Sequence, residues 1–248
     1  MNRSRAALIY LWPSLVVLAL CAAVIMFAWY PQPFLQLPSS GRFSVLLLIS
    51  AALIGPVLIW FMYKQGKKGM LFDLVFIALM QLAAMGWGMY TLYLNRPYFM
   101  VFTLDRFEVL ARREVDTAEI SDPAFLDKPL AGPVLLYANM PSDPAAYQKL
   151  LREVMFEGLP DLQFRSEFWS LYDQRRQQVL DVSRPLADLR EARPESSASI
   201  DKLVRKHGGE ISSLRYVPGL LHAGQFAAVL DADSGGIAGY LVTDPWLR

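Results

Sequence analysis

Histidines, cysteines and paired acids are where a chain does most of its chemistry, and here they are few and scattered. His207 and His222 are the only histidines. Neither has a cysteine or carboxylate at ligand spacing, so no structural or catalytic zinc site is expected. Cys21 is the single cysteine; it excludes a disulfide scaffold and, inside an apolar run, reads as a buried apolar side chain. The stretch Asp231-Ala232-Asp233-Ser234-Gly235-Gly236 opens like a calcium loop. Its fifth position is Gly235, however, and its twelfth is Val242 where a bidentate glutamate is needed, so a hairpin turn is the better reading. Asp105 and Glu108 form a carboxylate pair only on paper, since both read as solvated strand positions. Arg175, Arg176, Arg184, Arg190 and Arg193 are interleaved with acids, the pattern of an exposed, salt-laced helix. There is no GxSxG, P-loop or GxGxxG. No catalytic residue, cofactor or metal site is expected, and the residues show no catalytic machinery.

The elements that would position any site divide sharply. Of 248 residues, 54% are hydrophobic and the net charge is +1. Residues 1–94 nevertheless carry only six cations (Arg3, Arg5, Arg42, Lys64, Lys67, Lys68) and one acid (Asp73), a net +5. The remainder holds eighteen cations and twenty-two acids, a net −4. No basic face is concentrated in the polar part, which excludes a nucleic-acid binder.

Three apolar runs, about 6–30, 44–63 and 70–94, are each long enough for a helix to cross a hydrocarbon core of ~30 Å. The short links between them suit antiparallel helices. Arg3 and Arg5 precede the first run, and Lys64, Lys67 and Lys68 fill the second link. Cations stay in the cytoplasm, so the N-terminus is expected inside and residues 95–248 outside, in the periplasm of a Gram-negative cell. The first run is too long for a secretory signal and ends in Phe-Ala-Trp-Tyr rather than a small-x-small site, so an uncleaved anchor is expected. Asp73 stands one turn into the third span, within reach of headgroups or of Lys67 and Lys68. Gly55-Pro56 should kink the second span. Gln81, with Gly86 and Gly88, makes a polar, small-residue face that suits either a partner's helix or packing among the three helices.

Residues 95–248 read as one α+β domain. Strands are expected at Tyr98–Leu104 and Phe107–Ala111 around a turn at Asp105-Arg106, at Gly132–Tyr137, and near the end at Leu214–Val217, Gln225–Asp231 and Ile237–Thr243. Asp143 caps a helix from Pro144 to Glu157, with Tyr147, Leu150, Leu151, Val154 and Met155 on one face. A second helix should run through about Glu167–Asp181 and on toward Arg193, followed by a polar loop at 193–199. A third, Ile200–His207, closes at Gly208-Gly209.

An ordered set of short motifs runs through this framework: Trp29-Tyr30-Pro31, Gly55-Pro56, Lys67-Lys68-Gly69, Leu71-Phe72-Asp73-Leu74, Gln81, Gly86, Arg96-Pro97, Val101-Phe102, Asp105-Arg106-Phe107 and Asp244-Pro245-Trp246. Together and in this order they resemble the type IV pilin accessory proteins, the TfpX/TfpZ group. The likeness covers residues 1 to about 115 and the C-terminal hairpin. That family's second span often carries an aspartate four residues before its Gly-Pro pair, where this chain has Ala51. The resemblance implies a multi-pass inner-membrane accessory or chaperone factor, without enzyme activity or cofactor, that helps a cognate type IV pilin assemble into pili. Its partners would be that pilin, membrane lipid and other inner-membrane pilus assembly proteins. The expected membrane contact is the Gln81, Gly86 and Gly88 face. The expected contact for the pilin head is the edge at Asp105, Arg106 and Phe107 or the terminal hairpin. The competing class is a membrane-anchored periplasmic sensor or ligand-binding protein. The charge pattern predicts that a periplasm-dependent phosphatase fused after Arg248 is active; an active cytoplasmic reporter there would reverse the topology.

Overall fold

The computed structural model describes residues 3–37, 42–62, 69–120, 122–222 and 224–247. The chain divides into two compact units, one made of helices (Met1–Pro31 and Gly41–Arg96) and one built around a sheet (Gln32–Ser40 and Pro97–Arg248). Three helices form the first: α1 (Arg3–Val24), continued by a π-helical turn Ile25–Trp29, α2 (Arg42–Met62) and α3 (Met70–Asn95). Two helical stretches, Ala7–Trp29 and Met70–Asn95, are long and apolar enough to cross a membrane. Lys64, Lys67 and Lys68 lie outside the described residues.

One polar cluster ties the three helices together. Pro56 has no N–H to give the carbonyl four residues back, which is that of Ala52. The Gln81 side-chain amide of α3 takes the place of that missing donor, with Nε2 3.2 Å from the Ala52 oxygen and 3.0 Å from Ser14 Oγ of α1. Ser14 in turn donates to the Tyr10 carbonyl at 3.1 Å. Gly55 is what admits the amide: a Cβ there would sit 1.9 Å from Gln81 Oε1. α2 continues through Pro56 as a single helix.

The ends of α1 and α3 are joined in a similar way. Arg96 precedes a proline and is extended (φ −63°, ψ 145°), so the helix stops there. The Leu92 carbonyl, one of the last in α3, accepts a hydrogen bond from the buried Tyr30 hydroxyl at 3.0 Å. Trp29 meets Tyr93 edge to face at 5.4 Å, and the Arg96 guanidinium lies 3.8 Å from the Tyr93 ring centre.

In the second unit, eight strands form one mixed sheet: β1 (Pro97–Thr103), β2 (Arg106–Ala111), β3 (Val134–Ala138), β4 (Trp169–Leu171), β5 (Arg184–Pro185), β6 (Leu214–Leu221), β7 (Gly224–Asp231) and β8 (Ile237–Leu241). The order across the sheet is β4-β3-β1-β2-β6-β7-β8, with β5 paired to β6. β1 and β2 form a hairpin at its centre; β3 runs parallel to β1 and β6 parallel to β2. One face carries two apolar clusters. α4 (Pro144–Phe156) contributes Leu150 to the first, beside Phe99, Val101, Leu136 and Trp169. α6 (Leu186–Ala192) and α7 (Ser197–Lys206) cover the second through Leu186, Leu189, Ile200 and Val204.

The opposite face is aromatic. Phe107 contacts both Phe102 and Tyr172, and Phe226 packs with Phe34 and Tyr240 at 5.9 and 5.8 Å. Gly219 on β6 leaves the space that the Phe226 ring occupies, since a Cβ would approach it to 2.3 Å.

Three expectations change. The link between α1 and α2 belongs with the sheet rather than with the helices: Phe34 and Leu37 are fully buried, because two bulky apolar side chains need a core to enter. The helix foreseen over 167–181 begins instead as 3-10 turns around β4, and only α5 (Arg176–Val182) is α-helical, because Trp169 is drawn into the sheet's first cluster. The polar loop at 193–199 is a 3-10 turn followed by the start of α7.

Gly55→Ala should destabilise the helical unit by about 1–3 kcal/mol, the cost of overpacking a filled site. In Gly55→Ala/Gln81→Ala the two losses should be less than additive, read as thermal denaturation of the full chain in detergent.

Candidate partner-binding surface

The β1–β2 turn is two residues long, Leu104 and Asp105, since Thr103 pairs with Arg106. Leu104 adopts a left-handed conformation (φ 54°), and its side chain is 65% exposed. Asp105 accepts a hydrogen bond from Arg106 Nε at 2.9 Å, and the Arg106 guanidinium lies 4.9 Å from the Trp246 ring centre. Alternation along β2 puts Glu108 on the same side as Arg106.

A cavity of about 340 Å³ opens there, bounded by the β1–β2 turn, Glu108, α4 and Asp161–Gln163. Burial pushes the Glu108 carboxyl above its ordinary range, with Asp161 and Asp105 adding to it and Arg106 and Gln163 opposing.

α4 starts where the sequence says it should. The Asp143 carboxylate accepts from Ala146 N at 2.9 Å, and Pro144 occupies the first turn. Leu150 turns into the core, while Tyr147, Leu151, Met155 and Phe156 remain exposed, the last two at 69% and 80%. Arg165 bridges Glu153 and Glu167 and fastens the helix to the segment that follows it. The result is a polar-floored groove with an apolar wall.

The C-terminal motif is held from inside. Arg193 donates to Asp244 Oδ2 at 2.7 Å, to the Asp244 carbonyl at 3.1 Å and to the Trp246 carbonyl at 2.9 Å. The Tyr216 hydroxyl reaches the Pro245 carbonyl at 3.3 Å, and Ser196 bonds Thr243 at 2.8 Å. Arg193 is therefore a partly buried clamp and not one of a row of exposed helix charges; Arg176 pairs with Asp173 and Arg190 with Asp201.

The proposed contact residues do not share one surface. Gln81 and Gly88 lie about two turns apart on α3; Gly88 is buried and Gln81 faces the other two helices. Gly86 is on another side of α3, exposed, with nothing within reach of an added Cβ. Phe107 is fully buried against Phe102 and Tyr172, because it is the inward residue of a two-faced strand, so it lines no partner surface. Asp105 and Arg106 are on the outside. Asp73 occupies the first turn of α3, and Pro97 opens β1.

The remaining chemistry-bearing residues stay apart. His222 stands at the β6–β7 turn, its Nε2 3.1 Å from Glu114 Oε1. His207 ends α7, donating its backbone N–H to the Leu203 and Val204 carbonyls. Asp231 accepts from Ser234 N and Oγ at 2.8 and 2.7 Å, bonds that hold its carboxyl below the usual range and belong to a turn. Sequence reasoning missed the partial burial of Glu108 and the role of Gln163. Both depend on the 157–165 segment folding back over β2, for which no periodic signal exists.

Among relatives, a fimbrial assembly protein of serogroup I from Dichelobacter nodosus is 32% identical over 178 residues, covering 70% of this chain and 68% of the relative. The chain belongs to the fimbrial assembly protein family. The serogroup E1 protein of the same organism is 31% identical over 180 residues, again 70% of this chain and 68% of the relative. That of serogroups C1 and C2 is 37% identical over 106 residues, 41% of this chain and 79% of the relative. The family described as "Fimbrial assembly protein FimB" matches residues 1–38. No solved structure matches significantly. The family resemblance drawn from the short motifs is thereby shown to be that of a type IV pilus accessory family.

Because folding raises the Glu108 pKa, the folded state holds that proton more tightly than the unfolded chain. The associated stability is complete below the unfolded value and is lost as pH rises through the folded one. Glu108→Gln should therefore raise the melting temperature of the full chain near pH 7, and the gain should shrink as the solution is acidified toward about pH 4.

Proposed function

We propose that this family member is a non-enzymatic accessory factor of the bacterial inner membrane that holds a cognate type IV pilin during its assembly into pili. In this reading α1, α2 and α3 cross the bilayer with the N-terminus in the cytoplasm, and the sheet-containing unit is periplasmic. The observation that carries the proposal is the exposed apolar wall of α4 and Leu104 beside the groove at the β1–β2 turn. A contiguous apolar surface rimmed by polar groups is a protein-docking feature more often than a solvated one. A pilin head would lie against that wall, while the pilin's apolar segment would run along the outward side of α3 that includes Gly86. Two modest contacts on one partner multiply through effective concentration. The partly buried Glu108 and the buried Gln163 would meet polar groups at the centre of the contact.

The competing reading, a small-molecule receptor, draws on the same groove, whose volume suits a ligand of modest size. The two part on one substitution set. Leu151→Asp/Met155→Asp changes only exposed positions, so the melting temperature should shift little. Co-purification of the cognate pilin should fall at least fivefold, and surface pili should drop while total pilin is unchanged. Normal piliation, in this variant and on deletion of the gene, would remove the proposed role.

A further inference from the structure

β8 is an outer strand of the sheet, with β7 on one side and, among the described residues, no strand on the other. Pro218 fixes which of its backbone groups face outward. Pro218 of β6 lies opposite Ala227 of β7, and having no N–H it must occupy a non-hydrogen-bonded position of that ladder. Ala227 therefore turns its N–H and C=O toward β8. Two residues on, Val229 does the same, so their partners Leu241 and Gly239 are bonded inward. Tyr240, between them, is left with its N–H and C=O pointing away from the sheet.

That edge is not bare solvent. A cavity of about 610 Å³ runs along it, walled by Gln32 and Gln36 from the first inter-helix link and by Lys202 and Lys206 of α7, with Tyr240 and Val242 on its floor. The walls stand on opposite faces of the sheet: the link packs with Phe226 and Tyr240, and α7 covers the other side through Ile200 and Val204. An edge strand flanked on both faces is shaped to receive one more strand. Lys202 and Lys206 are one turn apart, exposed, and make no ion pair among the described residues.

We propose that the outer edge of β8 takes up an extended segment of the pilin by strand addition, with a carboxylate on that segment meeting Lys202 and Lys206. This deepens the function proposed above and rests on the pilin being the partner. Lysines also protect sheet edges from unwanted pairing; in that role their charge would not favour the bound state.

The experiment uses the full chain in membranes, co-expressed with its cognate pilin, with a photoreactive amino acid replacing Val242. Irradiation should cross-link it to the pilin. Lys202→Glu/Lys206→Glu should lower the yield at least fivefold at unchanged melting temperature, and Lys202→Arg/Lys206→Arg should restore it. Exchange of the Tyr240 amide should slow at least tenfold in the complex, a change that side-chain docking alone would not produce. Pilin that co-purifies without cross-linking at Val242, label passing only to lipid, or a yield indifferent to charge reversal would each overturn strand addition and leave the accessory role standing. Failure of the pilin to co-purify with the unsubstituted chain would overturn both.

Discussion

A proline in the middle of an apolar helix leaves a carbonyl with no donor, and in apolar surroundings such an orphan is costly. The packing of the helical unit follows from how that debt at Ala52 is met. Gln81 supplies the donor from α3, and its second amide hydrogen reaches Ser14 of α1. The Ala52 carbonyl can only accept, which fixes which end of the amide faces it. Gln81 Oε1 then points at Gly55, where the Cα hydrogen standing in place of a side chain offers a C–H···O contact. Pro56 creates the demand, Gly55 the space and Gln81 the supply; none of the three makes sense without the others. Gln81 is thus better understood as an internal fastener than as a free handle for a partner's helix.

The same economy recurs at the helix ends and in the sheet. The Leu92 carbonyl is satisfied by Tyr30, sixty-two residues away, and the carbonyls of Asp244 and Trp246 by Arg193. In each case a short recognisable motif provides one half of a contact whose other half lies far along the chain. Trp29-Tyr30 and Asp244-Pro245-Trp246 are recognisable because they are committed: a substitution at either end strands a buried polar group, which is costlier than losing an exposed contact.

This explains what could be read from the sequence and what could not. The hairpin around residue 104, the capped helix α4 and the closing strands were legible because each announces itself locally, through alternation, an Asp-Pro cap or a turn. The inward side of α4 was legible as a face, but not which edge of that face stays exposed, since Leu150 and Leu151 differ only in what the sheet brings to meet them. The burial of Phe34 was illegible because a proline-rich link between apolar runs looks like any short loop. The segment at 166–175 failed because tertiary packing of Trp169 and Tyr172 overrode a helical composition; burial also lifts the Tyr172 hydroxyl to a pKa of about 12. Phe107 misled for a related reason: it adjoins an exposed Asp-Arg pair, yet strand alternation sends it the other way.

If the recognisable residues are spent internally, a partner of the kind proposed would be chosen by residues with no internal duty. Leu104, Leu151, Met155 and Phe156 meet that description, as do Lys202 and Lys206. The two sets border one sheet: Leu104 is in the β1–β2 turn with the others on α4 beside it, and the lysines are on α7 beside β8. From β2 to β8 there are three strand spacings, about 14 Å. A folded domain of about 100 residues has a radius of gyration of about 13 Å, so one partner head could cover the groove and still present a strand to the edge. A charged edge limits which strands may add, and an apolar wall limits which heads may rest there. Selectivity for one pilin over another would then come from the requirement that a single partner satisfy both at once, even if neither contact alone discriminates strongly.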